Sequence, residues 1–143
     1  MVSWNCRSSG SDLFWYEMKV AIIEPESGQR DVYKDILESY DIDLFDSPYK
    51  FTQVDSGLYD VILIAHRFGD ESWLDTYRSL RNAPRVIVTA TYPKDYYKRE
   101  QAINLWPAIQ KINDYPNVIF FQKSDFKNIV RALNIEEVAK SSQ

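Results

Sequence analysis

The chain has 143 residues, which suits one domain whose core needs no disulfide or metal staple. Its 45% apolar and 27% charged residues exclude a disordered chain, and a net charge of −4 without a basic stripe argues against direct duplex binding. A single cysteine, Cys6, excludes an internal disulfide and a CxxC metal or redox site, which fits a cytoplasmic setting.

Residues 1–17, MVSWNCRSSGSDLFWYE, have no basic start followed by an apolar h-region, so they do not read as a signal peptide. They are expected to be a partly flexible leader, with the domain spanning 18–138 and a short tail at 139–143. No apolar run approaches the roughly 18–20 residues that span a bilayer.

Four short runs are apolar without alternation: Val20–Ile23, Val61–Ala65, Val86–Ala90 and Val118–Phe121. Strands buried on both faces of a parallel sheet have this composition. A fifth run, Ile42–Phe45, alternates more and reads as an outer strand. Between the runs lie helical stripes. Val32, Tyr33, Ile36, Leu37 and Tyr40 form the first, with Ser27 as its N-cap. The stretch 46–60 is poor in helical signal and predicts a short or irregular crossover. Trp73, Leu74, Tyr77 and Leu80 form the next stripe, opened by Asp70 and Glu71.

The segment 93–114 is longer. Pro93 suits a first helical position, Ala102, Leu105, Trp106, Ile109 and Ile112 supply an apolar face, and Pro107 should kink or split the helix. Phe126, Ile129, Val130 and Leu133 make the last stripe, with Ser124 or Asp125 as its cap. The alternation predicts an α/β fold: a doubly wound, flavodoxin/CheY-like five-stranded parallel sheet in the order 2-1-3-4-5. An extended helical segment would lie between strands 4 and 5. In that order the functional crevice lies at the carboxyl ends of strands 1 and 3.

The strand ends carry Glu24 after strand 1, Ala65 and His66 after strand 3, Thr89 after strand 4 and Lys123 after strand 5. With the segments MKVAIIEPE (18–26), YDVILIA (59–65), PRVIVTA (84–90) and VIFFQKS (118–124), the chain resembles the receiver domain of two-component response regulators. Receivers hold Mg²⁺ with two acids after strand 1 and take a phosphoryl group on an aspartate ending strand 3. They bind its oxygens with a Thr or Ser and a Lys. The resemblance puts Glu24 and Pro25 at the two acids, Ala65 at the phosphoacceptor, and Thr89 and Lys123 at the last two positions. Phe120 falls at the switch aromatic, and Ser124 replaces the usual proline.

These departures change the chemistry. Alanine has no nucleophilic oxygen, and proline offers Mg²⁺ no side-chain ligand. The resemblance therefore implies a pseudo-receiver: no enzyme, no cofactor, no metal, and regulation through protein–protein interaction independent of phosphorylation. Lys123 either pairs with Glu24, the favoured reading, or binds an anion beside Thr89. His66, the only histidine, reads as a local loop residue.

Aromatics reach 15% of the chain, which points to a protein-binding surface beyond the needs of the core. The added segment between strands 4 and 5 carries Tyr92, Tyr96, Tyr97, Trp106 and Tyr115. They either cover the sheet or form an altered interaction surface on the helix 4–strand 5–helix 5 face, where a protein partner or a second copy would bind. Lys94, Lys98, Arg99 and Lys111 form a solvated mixed-charge face or a docking site for an acidic protein surface.

The alternative function is a small-molecule or nucleotide binder using the same crevice. GxGxxG and GxxxxGK[ST] are both missing, and Gly occurs only four times. A hydrolase is disfavoured without a GxSxG elbow. Neither nucleic acid nor membrane is an expected partner.

Overall fold

In a computed structural model of the chain, the structure describes residues 18–54, 56–80, 85–99, 106–131 and 133. The leader, Ala102, Leu105 and the tail lie outside the described residues. So does whatever joins the two helices of the 93–114 segment.

Five parallel strands form the main sheet: β1 (Lys19–Ile23), β2 (Asp41–Phe45), β3 (Val61–Ala65), β6 (Arg85–Ala90) and β7 (Val118–Gln122). Their order is β2-β1-β3-β6-β7, the expected 2-1-3-4-5 order of an α/β sheet. β1, β3 and β6 are central, and their apolar runs are buried almost throughout. β7 was expected to be buried on both faces. It is an edge strand, and Ile119 and Phe120 remain partly exposed because one side has no strand neighbour.

The alternation of side chains splits the core in two. On one face Ala21, Ile23, Ile62, Ile64 and Val88 pack against Phe51, Trp73, Leu74 and Ile112. On the other, Val20, Ile22, Leu63, Ile87 and Phe121 meet Tyr33, Leu37, Ile129 and Leu133. Full burial of such side chains contributes roughly 1.5–3 kcal/mol each. Helices thus cover both faces, which is why the central runs show no polar alternation.

Helix α1 spans Ser27–Ile36 and buries Tyr33. Its N-cap is Glu26, not Ser27, and no side chain caps it. Instead the Arg30 guanidinium donates to the Glu24 carbonyl at 2.7 Å, tying the first turns to the end of β1. The 46–60 crossover is irregular as expected: one turn, α2 (Pro48–Phe51), and a 3-10 turn at Ser56–Leu58.

The third helix corrects a sequence expectation. Asp70 and Glu71 do not open it. Glu71 belongs to a two-residue-stranded hairpin, β4 (Arg67–Phe68) with β5 (Glu71–Ser72), and Asp70 to its turn. Gly69 sits in that turn at φ 58°, a conformation costly for any residue with a Cβ. Helix α3 (Trp73–Arg78) is instead closed by a reciprocal capping box between Ser72 and Asp75.

The long segment contributes α4 (Lys94–Arg99), α5 (Trp106–Gln110) and a 3-10 turn at Lys111–Asp114. Pro93 precedes α4 rather than starting it, and Pro107 follows the first residue described in α5. Ser124 and Asp125, expected as caps, lie inside a 3-10 stretch at Lys123–Asn128, where Asp125 accepts from Asn128 Nδ2 at 2.7 Å. Residues 129–131 then continue as helix. Arg85 Nη1 donates to the Leu133 carbonyl at 2.7 Å, so this segment is fastened to the start of β6.

Candidate functional site

Side-chain parity assembles the site. Ile22, Leu63, Ile87 and Phe121 face α1 and the C-terminal helical segment. Two residues further along each strand direction stand Glu24, Ala65, Thr89 and Lys123. Ala65 and Thr89 are direct register partners. Thr89 is the penultimate residue of β6 rather than its last, and Lys123 follows the last residue of β7.

Glu24 is 1% exposed and Lys123 closes on it. Lys123 Nζ lies 3.1 Å from Glu24 Oε1 and donates to Oε2 at 3.2 Å. Oε2 also accepts the Glu26 backbone N–H at 3.2 Å. Glu26, exposed, lies at the edge of the pair, 3.9 Å from the same Nζ. The favoured sequence reading of Lys123, compensation of a buried carboxylate, has its geometry here. Pro25 lies between the two glutamates and offers no donor.

The donor set therefore does not suit Mg²⁺, which favours octahedral oxygen ligation. The buried carboxylate of Glu24 is neutralised by an ammonium at contact distance, the exposed Glu26 lies 3.9 Å from the same ammonium, and the position after Glu24 is a proline. Among the described residues no three His, Cys, Asp or Glu side chains converge as a metal site.

Ala65 is 2% exposed and presents only a methyl group at the end of β3. Thr89 is equally buried, and its hydroxyl makes one long bond to the Ile64 carbonyl at 3.4 Å. Tyr33 forms the opposite wall. Its hydroxyl faces Thr89, Gln29 and the Glu24 charge, yet closes no well-aligned hydrogen bond. Burial, reinforced by Glu24, pushes its pKa up to about 12, so the phenol stays neutral. Sequence reading missed Tyr33 as a site residue. Its one signal is a hydroxyl on the apolar stripe of the first helix, which Tyr40 shares.

His66 points away from this wall, to the opposite sheet face, where its ring lies 5.2 Å from that of Tyr97. Its backbone N–H donates to the Thr89 carbonyl at 2.8 Å and its carbonyl accepts from Trp73 N–H at 3.0 Å. Burial, and next the Lys123 charge, hold its pKa at about 4, so the imidazole is neutral. Its buried Nδ1 has no hydrogen-bond partner.

The expected interaction aromatics divide. Tyr97 is 2% exposed and belongs to a small core with Ala90 and Ile109, so it offers no surface. Tyr115 packs against Tyr77 and Trp73, with ring centroids at 4.7 and 6.2 Å, as part of the core cover. Trp106 and Phe120 are half-buried against the Tyr97 cluster. Tyr96 is half-buried and stacks at 4.2 Å on Tyr92, which is 48% exposed. The surface on this side is therefore Tyr92 and Tyr96, flanked by Lys98 and Arg99.

No helix among the described residues is long and apolar enough to cross a membrane. No family model matches the chain, and no curated protein is detectably similar to it.

Proposed function

We propose that this chain is a receiver-like signalling module that has lost phosphoryl transfer and acts in the cytoplasm by binding another protein. One observation carries the reading. The methyl of Ala65 stands beside Thr89 at the strand ends, while Lys123 neutralises the buried carboxylate of Glu24 there. Without an oxygen nucleophile or a metal seat, in-line phosphoryl transfer has no chemistry to use. The ion pair joins the end of β1 to the segment after β7, so it holds the strand ends in one arrangement. Binding then falls to the face built from α4, β7 and the C-terminal helical segment, where Tyr92 and Tyr96 are presented.

The test is incubation with acetyl phosphate and Mg²⁺, followed by intact mass and sedimentation. The expected result is no added mass and no change of shape. A phosphoryl adduct on any residue overturns the reading.

A second reading, a small-ligand binder, is favoured by one feature: the Tyr33 hydroxyl is buried without an aligned hydrogen-bond partner. Thermal shift against nucleotides and phosphorylated metabolites separates the two. A saturable rise in melting temperature supports the ligand reading.

A further inference from the structure

Four large apolar side chains stand out as exposed among the described residues, and three of them occupy one crossover. Tyr49 is 73% exposed, Leu58 58% and Val54 38%, all on the irregular path between β2 and β3. The crossover is nevertheless fixed in place. Phe51 and Tyr59 are buried, with Phe51 5.3 Å from Phe45 and 5.9 Å from Tyr59. The Asp60 N–H donates to the Lys19 carbonyl at 2.8 Å, and Asp60 Oδ2 accepts the Lys19 N–H at 2.8 Å. The apolar side chains are thus held outward by a well-anchored backbone.

The surroundings are acidic. Asp41, Asp43, Asp46 and Asp60 border this crossover, against Lys19 and Lys50. Both lysines are already engaged, Lys19 with Asp43 at 3.7 Å and Lys50 with Asp46 at 3.1 Å. The fourth exposed apolar side chain, Tyr92, has the opposite setting. It precedes α4, where among the described residues Lys94, Lys98 and Arg99 stand against one carboxylate, Asp95, which Arg99 engages at 3.1 Å, with Glu100 next in sequence. The two patches lie toward opposite edges of the sheet, one after the edge strand β2 and one before the edge strand β7.

We propose that the acidic apolar crossover of one molecule docks the basic aromatic α4 surface of a second copy, head to tail. Each patch supplies what the other lacks: exposed apolar area with carboxylates against a stacked tyrosine pair with cations. Because the two patches differ and lie apart, the contact is heterologous, and copies add in series rather than closing as a two-fold dimer. The inference rests on the reading of α4 as an interaction face, and adds the surface that meets it.

Sedimentation velocity on the full chain tests it, across protein concentration, in about 20 mM and about 500 mM salt. Association should grow with concentration and weaken with salt. Leu58→Arg and Tyr92→Asp, both at exposed positions, should each be monomeric with an unchanged melting curve. Mixed in equal amounts they should form a dimer that grows no further, since each retains one intact patch. A wild-type chain that stays monomeric at about 1 mM overturns the inference, as does a mixture that fails to pair. Association abolished by Tyr92→Asp but untouched by Leu58→Arg overturns the head-to-tail contact and leaves the α4 face standing. Association untouched by Tyr92→Asp removes both.

Discussion

Lys123 Nζ lies 3.1 Å from the carboxylate of Glu24, a residue 99 positions earlier in the chain and 1% exposed. The pair bridges the first and last strands described, with β3 and β6 between them. Removing one partner leaves a buried charge uncompensated, which costs about 3–5 kcal/mol. Lys123→Met should therefore lower stability in urea by that amount. The double variant Glu24→Gln/Lys123→Met should recover most of it. Equal losses in the single and double variants would show that the pair is not coupled.

The proposed receiver likeness can be probed by replacing Ala65 with aspartate. Ala65→Asp alone is expected to take no phosphoryl group from acetyl phosphate, because Pro25 still denies Mg²⁺ a second carboxylate and Lys123 still occupies Glu24. Adding Pro25→Asp should make the adduct appear by intact mass. Labelling of the single variant would show that the metal seat is not what fails.

His66 gives stability a pH dependence of known sign. Its pKa is lowered from 6.5 to about 4 by burial and by Lys123, so the unfolded chain binds a proton in that window and the folded chain does not. The contribution is fully present above pH 6.5 and is lost as pH falls towards 4, by at most about 1.4 kcal/mol per pH unit. His66→Gln should flatten this part of the urea-stability profile. In Lys123→Met the His66 pKa, followed by NMR, should move upward; no movement would remove Lys123 as a cause.

Trp73 is fully buried, and its indole N–H donates to the Ala108 carbonyl at 2.9 Å, joining α3 to α5. Trp73→Phe keeps an aromatic ring but removes that hydrogen bond and opens a void. The expected loss is about 2–3 kcal/mol in chemical unfolding. A change below 0.5 kcal/mol, roughly the size of a surface substitution, would show the clamp to be unimportant.

Tyr33→Phe removes a buried hydroxyl that makes no aligned hydrogen bond. Its effect on stability should be neutral or favourable, since no partner is left stranded. A loss of 1 kcal/mol or more, on the scale of a made hydrogen bond, would mean that the hydroxyl is engaged, by Thr89, Gln29, a bound water or a ligand.

Much of this architecture is written in local chemistry. Unbroken Val/Ile runs such as Val61–Ala65 favour strands covered on both faces, although the similar run of β7 stays partly exposed at the edge, and alternation with helical stripes leaves few topologies. The period of two then puts Glu24, Ala65, Thr89 and Lys123 on one side of the sheet, while Tyr33, which faces them from the first helix, gave no such signal. Short-range chemistry was less legible. Ser72 rather than Asp70 caps α3, because a two-residue hairpin carries too little pattern to announce itself, with Gly69 at φ 58° as its one trace.

Tertiary structure decided what parity cannot. Whether Lys123 turns to Glu24 or to an anion depends on the distance between chain segments 99 residues apart. Tyr97 and Tyr115 carry the same side chain as Tyr92 and lie on the same stretch of chain, yet packing makes Tyr97 core, Tyr115 a half-buried cover against Trp73 and Tyr77, and Tyr92 surface. Sequence fixes the direction in which a side chain leaves the backbone; only the folded neighbours determine what it meets.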